Sequence, residues 1–284
     1  MTEKLHKVLA DRGLGSRREM ERWIAAGRVA VNGQVADVGM RVDPTDDVMV
    51  DGQRLGKAAV ARTRVLIANK RAGVIVSRRD PQGRPSVFDD LPRLRSGRWI
   101  SVGRLDLQTT GLLLFTNDGE LANKLAHPST GIDREYAVRV FGRLEDAALE
   151  RLKAGVVVND RVEAFSDIRY YDGSGANHWY HVVLMEGRNR EVRELFATEG
   201  VTVSRLKRVR YGPVILPPWL PRGTWEEVGS RDIAQLQTLL GLPARRVRET
   251  PVRAESGRKP RSVLIPYPKL AATASKTPRR TGGR

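Results

Sequence analysis

The sequence predicts an α+β chain in three parts. These are a small helix-and-hairpin domain (1–60), a larger domain on a mixed, mostly antiparallel sheet (64–243), and a disordered basic tail (245–284). Three observations carry this reading. Beyond residue 64, strand-like and helix-like runs are interspersed without a regular βαβ rhythm, which argues against a doubly wound parallel sheet. Near the N-terminus, Asn32-Gly33 sits between short apolar runs, the signature of a type I′ hairpin. From Arg245 onward the chain holds 12 Lys/Arg against 2 Asp/Glu, with five prolines and one aromatic, Tyr267. That composition buries too little apolar surface to offset the entropy of ordering it.

The elements follow in order. Lys4 to Arg12 reads as a short helix, with Leu5, Val8 and Leu9 on one face, closed by Gly13 and Gly15. Ser16 with Glu19 three residues later is a capping box opening a second helix to Ala26. Val29–Val31, the Asn-Gly turn and Gln34-Val35 form the hairpin, and Val48–Val50 is a further strand. Gly56 to Arg64 is the expected linker. Strands are then expected at 65–68, 74–76, 99–102, 111–116, 134–141, 162–170, 179–185 and 203–211. Helices are expected at 118–126, 144–153, 190–198 and 233–240.

Charge narrows the function. Of 284 residues, 50 are Lys or Arg and 33 Asp or Glu, a net charge of +17 that favours a polyanionic partner. A membrane partner is disfavoured, because no apolar run approaches the ~18–20 residues of a span. The absence of cysteine removes disulfides, thiol catalysis and thiolate-held metals. The first residues lack the apolar segment of a signal peptide, so the expected location is the cytoplasm. No phosphate loop, dinucleotide fingerprint or nucleophile-elbow motif is present. His178 and His181 are the only close histidine pair; on a strand, a spacing of three puts them on opposite faces, so no metal site is expected. No cofactor is expected either.

One carboxylate stands out. Gly103-Arg104-Leu105-Asp106 follows an apolar strand, and a glycine-ended loop leads from it into another. An aspartate held between two core strands is rigidly placed and accessible. By itself the tetrapeptide is a weak signal, since a turn aspartate capping its own backbone is its usual explanation.

Longer patterns carry a family resemblance. Gly103–Asp106 with Thr110-Gly111-Leu112-Leu113-Leu114-Phe115-Thr116-Asn117-Asp118-Gly119 resembles the catalytic segment of bacterial ribosomal RNA pseudouridine synthases. Ala68-Asn69-Lys70 with Gly73, Arg134-Glu135-Tyr136, and Glu186–Arg193 resemble three further segments of that family. Gly27-Arg28-Val29-Ala30-Val31-Asn32-Gly33, after the Ser-Arg-Arg turn, is similar to the alpha-L RNA-binding module that one branch carries. The loop Asp80–Pro85 and the Asn189-Arg190-Glu191 wording resemble its large-subunit branch most.

The resemblance implies a catalytic trio of Asp106, Tyr136 and Arg193. Asp106 would be the nucleophile, attacking ribose or uracil ring, with Arg193 holding it ionised. Tyr136 would meet the base, with Arg104 and Leu195 at the substrate and Lys4, Arg12, Arg17, Arg18 and Arg28 on the RNA. The implied partner is ribosomal RNA, from the large subunit, with the enzyme acting as a monomer. An RNA-binding assembly factor that keeps the fold without its chemistry is the alternative.

Overall fold

The computed structural model describes residues 2–56, 62–185, 187–188, 190–243 and 261–267, so most of the expected linker lies outside the described residues. Strand β1 (Glu3–Lys4) runs into α1 (Leu5–Asp11), which buries Leu5, Leu9 and Ala10. Helix α2 (Arg17–Ala25) opens on the capping box: the Glu19 N–H donates to Ser16 Oγ at 3.1 Å, and the Ser16 N–H donates to the Glu19 carboxylate at 3.4 Å. Then come β2 (Val29–Val31), β3 (Gln34–Val35), β4 (Arg41–Val42), β5 (Val48–Val50) and β6 (Gln53–Arg54). Asn32 and Gly33 take φ of 51° and 83°, the turn their pairing predicts. Four of these strands form a sheet in the order β3-β2-β5-β6, while β4 pairs with β1. Leu5, Leu9, Met20, Ile24 and Val29 pack in a core of their own beneath it.

The larger sheet begins with β7 (Val65–Lys70), β8 (Ile100–Val102) and β9 (Thr110–Thr116), followed by α3 (Gly119–Ala126). Then come β10 (Arg134–Phe141), α4 (Asp146–Ala154), β11 (Val156–Val158), β12 (Arg161–Glu163), β13 (Asp167–Ser174) and β14 (Asn177–Leu184). The chain continues through α5 (Glu191–Thr198), β15 (Thr202–Tyr211), β16 (Val214–Ile215), β17 (Trp225–Glu227) and α6 (Ser230–Leu239). Strand order is β13-β14-β10-β15-β9-β7-β17, with β16 on β15 and β8 on β9. Every pairing is antiparallel except β9 with β15, which gives the mixed, mostly antiparallel sheet expected. At that parallel crossing only glycine fits. Gly111 has φ of 98°, and a Cβ there would lie 2.2 Å from the Arg208 carbonyl oxygen.

Alternation along β9 builds two cores. Leu113 and Phe115 face one side, where Tyr136, Val138, Tyr180 and Phe196 pack beneath α4 and α5. Leu112 and Leu114 face the other side, under α3 and α6. No described helix is long and apolar enough to cross a membrane.

Three expectations change. Residues 74–76 contribute one bridge, Ile75 to Ser86, because Pro85 has no N–H with which to extend a ladder. The expected strand 162–170 is two, since Phe165 turns into the core between β12 and β13. Within the expected disordered tail, Arg261–Tyr267 are placed: Val263 is buried, Leu264 bridges to Val214, and the Tyr267 hydroxyl bonds Asp133. These residues include the tail's one aromatic, and the edge of β16 offers them a partner. The remainder of 245–284 lies outside the described residues.

Candidate active site

The loop between β8 and β9 is pinned from several directions. Leu105 is buried in the core between Arg104, which is exposed, and Asp106, which is half-buried. The Lys70 ammonium, itself buried, donates to the main-chain carbonyls of Asp106 (3.0 Å), Leu107 (3.2 Å), Thr109 (2.9 Å) and Arg71 (3.1 Å). The Gly73 N–H adds a bond to the Leu107 carbonyl at 2.9 Å. Burial lowers the pKa of Lys70 to about 8, with the Asp106 charge opposing.

Asp106 opens into a cavity of about 160 Å³ between this loop, β10, β15 and the start of α5. Its carboxylate makes no hydrogen bond or ion pair among the described residues. Tyr136, 7% exposed, faces the same cavity from β10, and Leu184 and Leu206 supply apolar wall. A second carboxylate in the wall, Glu191, accepts the Arg188 N–H at 2.8 Å.

Five arginines line the cavity, and their partners sort them. Arg134 donates to the carbonyls of Ile132 (2.9 Å) and Met185 (2.6 Å) and to the Tyr211 hydroxyl (3.1 Å). Arg208 donates to the Leu112 carbonyl at 2.8 Å. Both guanidinium groups lie 5.0 Å from the Tyr211 ring, so they brace the floor. Arg188 is paired with Glu163. Arg104 and Arg190 are exposed at the mouth and make no ion pair among the described residues. Arg190 holds φ of 56° at the start of α5, a left-handed conformation uncommon for a non-glycine residue. The result is an accessible carboxylate and a tyrosine in a strongly cationic cleft.

Comparison with known proteins places this arrangement. The profile of RNA pseudouridylate synthases matches residues 64–198, and that of the S4 domain matches residues 3–48. Ribosomal large subunit pseudouridine synthase B of Escherichia coli strain K12 is 53% identical over 247 residues, covering 86% of this chain and 85% of that protein. The chain belongs to the RNA pseudouridylate synthase family. The same-named protein of Pseudomonas aeruginosa is 58% identical over 84% of this chain, which spans 63% of that relative's length. A crystal structure of a pseudouridylate synthase aligns with a TM-score of 0.58 at 23% identity, covering 82% of this chain and 99% of that one; that likeness is one of fold.

In this synthase the expected site residues are not all brought together. Arg104, Asp106 and Tyr136 line one cavity. Arg193 stands outside it, donating to the Val203 carbonyl at 2.8 Å without an ion pair to Asp106. Burial and the Arg190 cation lower its pKa, while the Asp106 charge raises it, so the two groups still interact through space. Leu195, expected at the substrate, is fully buried in the core. On a 3.6-residue period Leu195 falls with Val192 and Phe196 on the inward face of α5, and it is Val192 that reaches the cavity.

The module's cations also divide. Lys4, Arg17 and Arg18 are exposed. Arg12 donates to the Gly56 carbonyl, and Arg28 is held by Asp51 through its Nε at 2.8 Å while stacking 4.0 Å from the Trp23 ring centre. Lys70 and Arg190, like the cavity residues Arg134, Arg188 and Glu191, were left without a role by the sequence, though all five sit inside the family segments quoted above. His178 and His181 do separate, as the strand spacing requires: His178 packs on Tyr170, and His181 bonds Glu135 on the opposite face. Among the described residues no group of three or more His, Asp or Glu is placed to hold a metal ion.

Proposed function

We propose that this chain converts a uridine of large-subunit ribosomal RNA to pseudouridine, with Asp106 as its nucleophile. The observation that carries the reading is the Asp106 carboxylate, unpartnered among the described residues and facing Tyr136 across a cavity with arginines at its mouth. Isomerisation breaks the ribose–nitrogen bond, turns the base and joins it through carbon five, which loses its proton while the released nitrogen gains one. No electron or atom is transferred in balance, so the chemistry calls for one nucleophile, a place for the base and a proton acceptor.

In this reading the Tyr136 ring supports the extruded uracil, and its hydroxyl stands near the carbon that loses its proton. Arg193 acts on the Asp106 carboxylate through its charge, without touching it. Arg104 and Arg190 take phosphates, or fill the space left when the base leaves the stack. Residues 1–60, with Lys4, Arg17 and Arg18, hold the RNA, and 64–243 form the catalytic unit. Flipping a base costs a few kcal/mol, less where it already lies in a loop, and RNA contacts outside the cavity supply the offset. In this reading the enzyme acts as a monomer, in the cytoplasm where its ribosomal RNA substrate is found.

Mapping pseudouridines in ribosomal RNA from a strain lacking this gene, by carbodiimide-dependent reverse-transcription stops, tests the reading. One large-subunit site is expected to disappear and to return with the wild-type gene but not with Asp106→Asn. An unchanged map overturns the assignment.

A further inference from the structure

Strands β10, β13, β14 and β15 turn one face toward the core beneath α4 and α5. Among the described residues no helix covers their opposite face, since α3 and α6 lie over β7, β8 and β9. Pairing registers align the side chains there into rows. One row runs Trp179, Arg139, Arg205, and the next runs His181, Ala137, Lys207. Tyr171, on the bulge of β13, is 72% exposed with its ring 5.3 Å from that of His181.

The charges on this face do not balance. Its acids are engaged: Glu135 accepts from His181 and Arg210 at 2.8 Å each, Asp167 accepts from Arg169 at 2.8 Å, and Asp172 accepts the Gly173 N–H at 2.7 Å. In the middle rows, Arg139 stands directly opposite Arg205 on the neighbouring strand. Like charges in that position destabilise a sheet. Arg139 is steadied by Ser204 Oγ at 3.0 Å, whereas Arg205 has no ion pair among the described residues, and Lys207 lies near a further cation, Arg222. A polyanion on this face relieves that repulsion, and planar bases suit the exposed Tyr171 ring and the half-buried Trp179 ring beside the cations. The chain's own sequence after Tyr267 is no counter-ion, because residues 268–284 contain Lys and Arg but no acid.

We propose that the uncovered face of β10, β13, β14 and β15 binds a single-stranded segment of RNA, with phosphates on Arg139, Arg205 and Lys207 and bases stacked on Trp179 and Tyr171. This rests on the reading of RNA as substrate and adds a second contact surface, on the side of the sheet away from Asp106. A target nucleotide in the cavity and a flanking strand behind the sheet are then held together.

The test uses the full chain and a short fluorescent oligouridine carrying 4-thiouridine. Near-ultraviolet crosslinking followed by trypsin and mass spectrometry is expected to mark the peptide from Tyr170 to Arg188. In a salt series, the R139E/R205E variant is expected to bind the oligouridine about tenfold more weakly. Its salt slope is expected to be lower by about 1.4, from two lost single-strand phosphate contacts. R139Q/R205Q, which removes the charge without reversing it, is expected to lose less affinity but the same slope, and thermal melts of both establish folding. Wild-type affinity and slope in a folded variant, with crosslinks only elsewhere, overturn the proposal and leave an acidic protein surface as the occupant. The single-turnover rate of the wild-type chain on a saturating short hairpin reports on Asp106 separately, so failure of the catalytic reading is distinguishable from failure of this one.

Discussion

The Lys70 ammonium donates a 3.0 Å hydrogen bond to the main-chain carbonyl of Asp106, across a separation of 36 residues. The same ammonium holds the carbonyls of Leu107 and Thr109, so one buried charge sets the path of the loop that presents the carboxylate. Four carbonyls cannot all be satisfied by a neutral amine, which has only two N–H donors.

This relationship predicts an alkaline limit. Lys70 loses its proton near 8 in the folded protein and near 10.5 when unfolded. The single-turnover rate is expected to fall as pH rises through about 8. Between those values the unfolded chain binds more protons, so the contribution of this group to stability grows with pH over the same window. Rate profiles and denaturant midpoints measured together check both signs. A rate that stays flat to pH 10, or one that falls only in step with stability, would sink the assignment.

Asp106→Asn is expected to abolish isomerisation while leaving RNA affinity within about threefold, since phosphate contacts dominate binding. Tritium release from uridine labelled at carbon five, under single-turnover conditions with filter binding alongside, measures both. Turnover retained by the variant excludes Asp106 as nucleophile.

Within the N-terminal module, Arg17 and Arg18 are exposed while Arg28 is occupied by Asp51 and Trp23. Exchanging Arg17 and Arg18 for alanine is expected to lower the salt slope of RNA binding by about 1.4, whereas Arg28→Ala is expected to change it by less than about 0.3. Binding isotherms across a salt series separate the two. Equal effects would show that the Arg28–Asp51 pair opens on RNA.

Gly111→Ala is expected to destabilise the fold by about 3 kcal/mol or more, from a strained φ together with a 2.2 Å approach to the Arg208 carbonyl oxygen. Gly83→Ala shares a positive φ, but its Cβ would meet nothing within 4 Å, and it is expected to cost only about 1–2 kcal/mol. Urea unfolding of both variants provides the comparison, and equal midpoints would refute the close approach.

Tyr267→Phe removes a hydroxyl that accepts the Asp133 N–H at 3.1 Å and donates to its carboxylate at 2.5 Å. A loss of about 1–3 kcal/mol is expected. A thermal midpoint identical to wild type would mean that the segment contributes nothing to stability in solution.

The sequence alone determined the local features of this protein. The Ser16–Glu19 capping box, the Asn32-Gly33 turn and the alternation of β10 each depend on residues within a few positions of one another, and each forms as its pattern predicts. Its segment resemblances also implied Asp106, Tyr136 and Arg193 as a catalytic trio, of which Asp106 and Tyr136 line one cavity. What only tertiary structure decided is which atoms meet. The inward face of α5 took Leu195 into the core and set Arg193 on the Val203 carbonyl instead of Asp106. The Lys70 clamp, the two guanidinium groups on Tyr211 and the docking of Val263 and Tyr267 join residues far apart in the chain. A sequence pattern registers period and turn chemistry, because these are set by neighbours along the backbone. It does not register which distant carbonyl a buried cation will find, because that depends on how the sheet closes and which polar groups are left to be satisfied once it has.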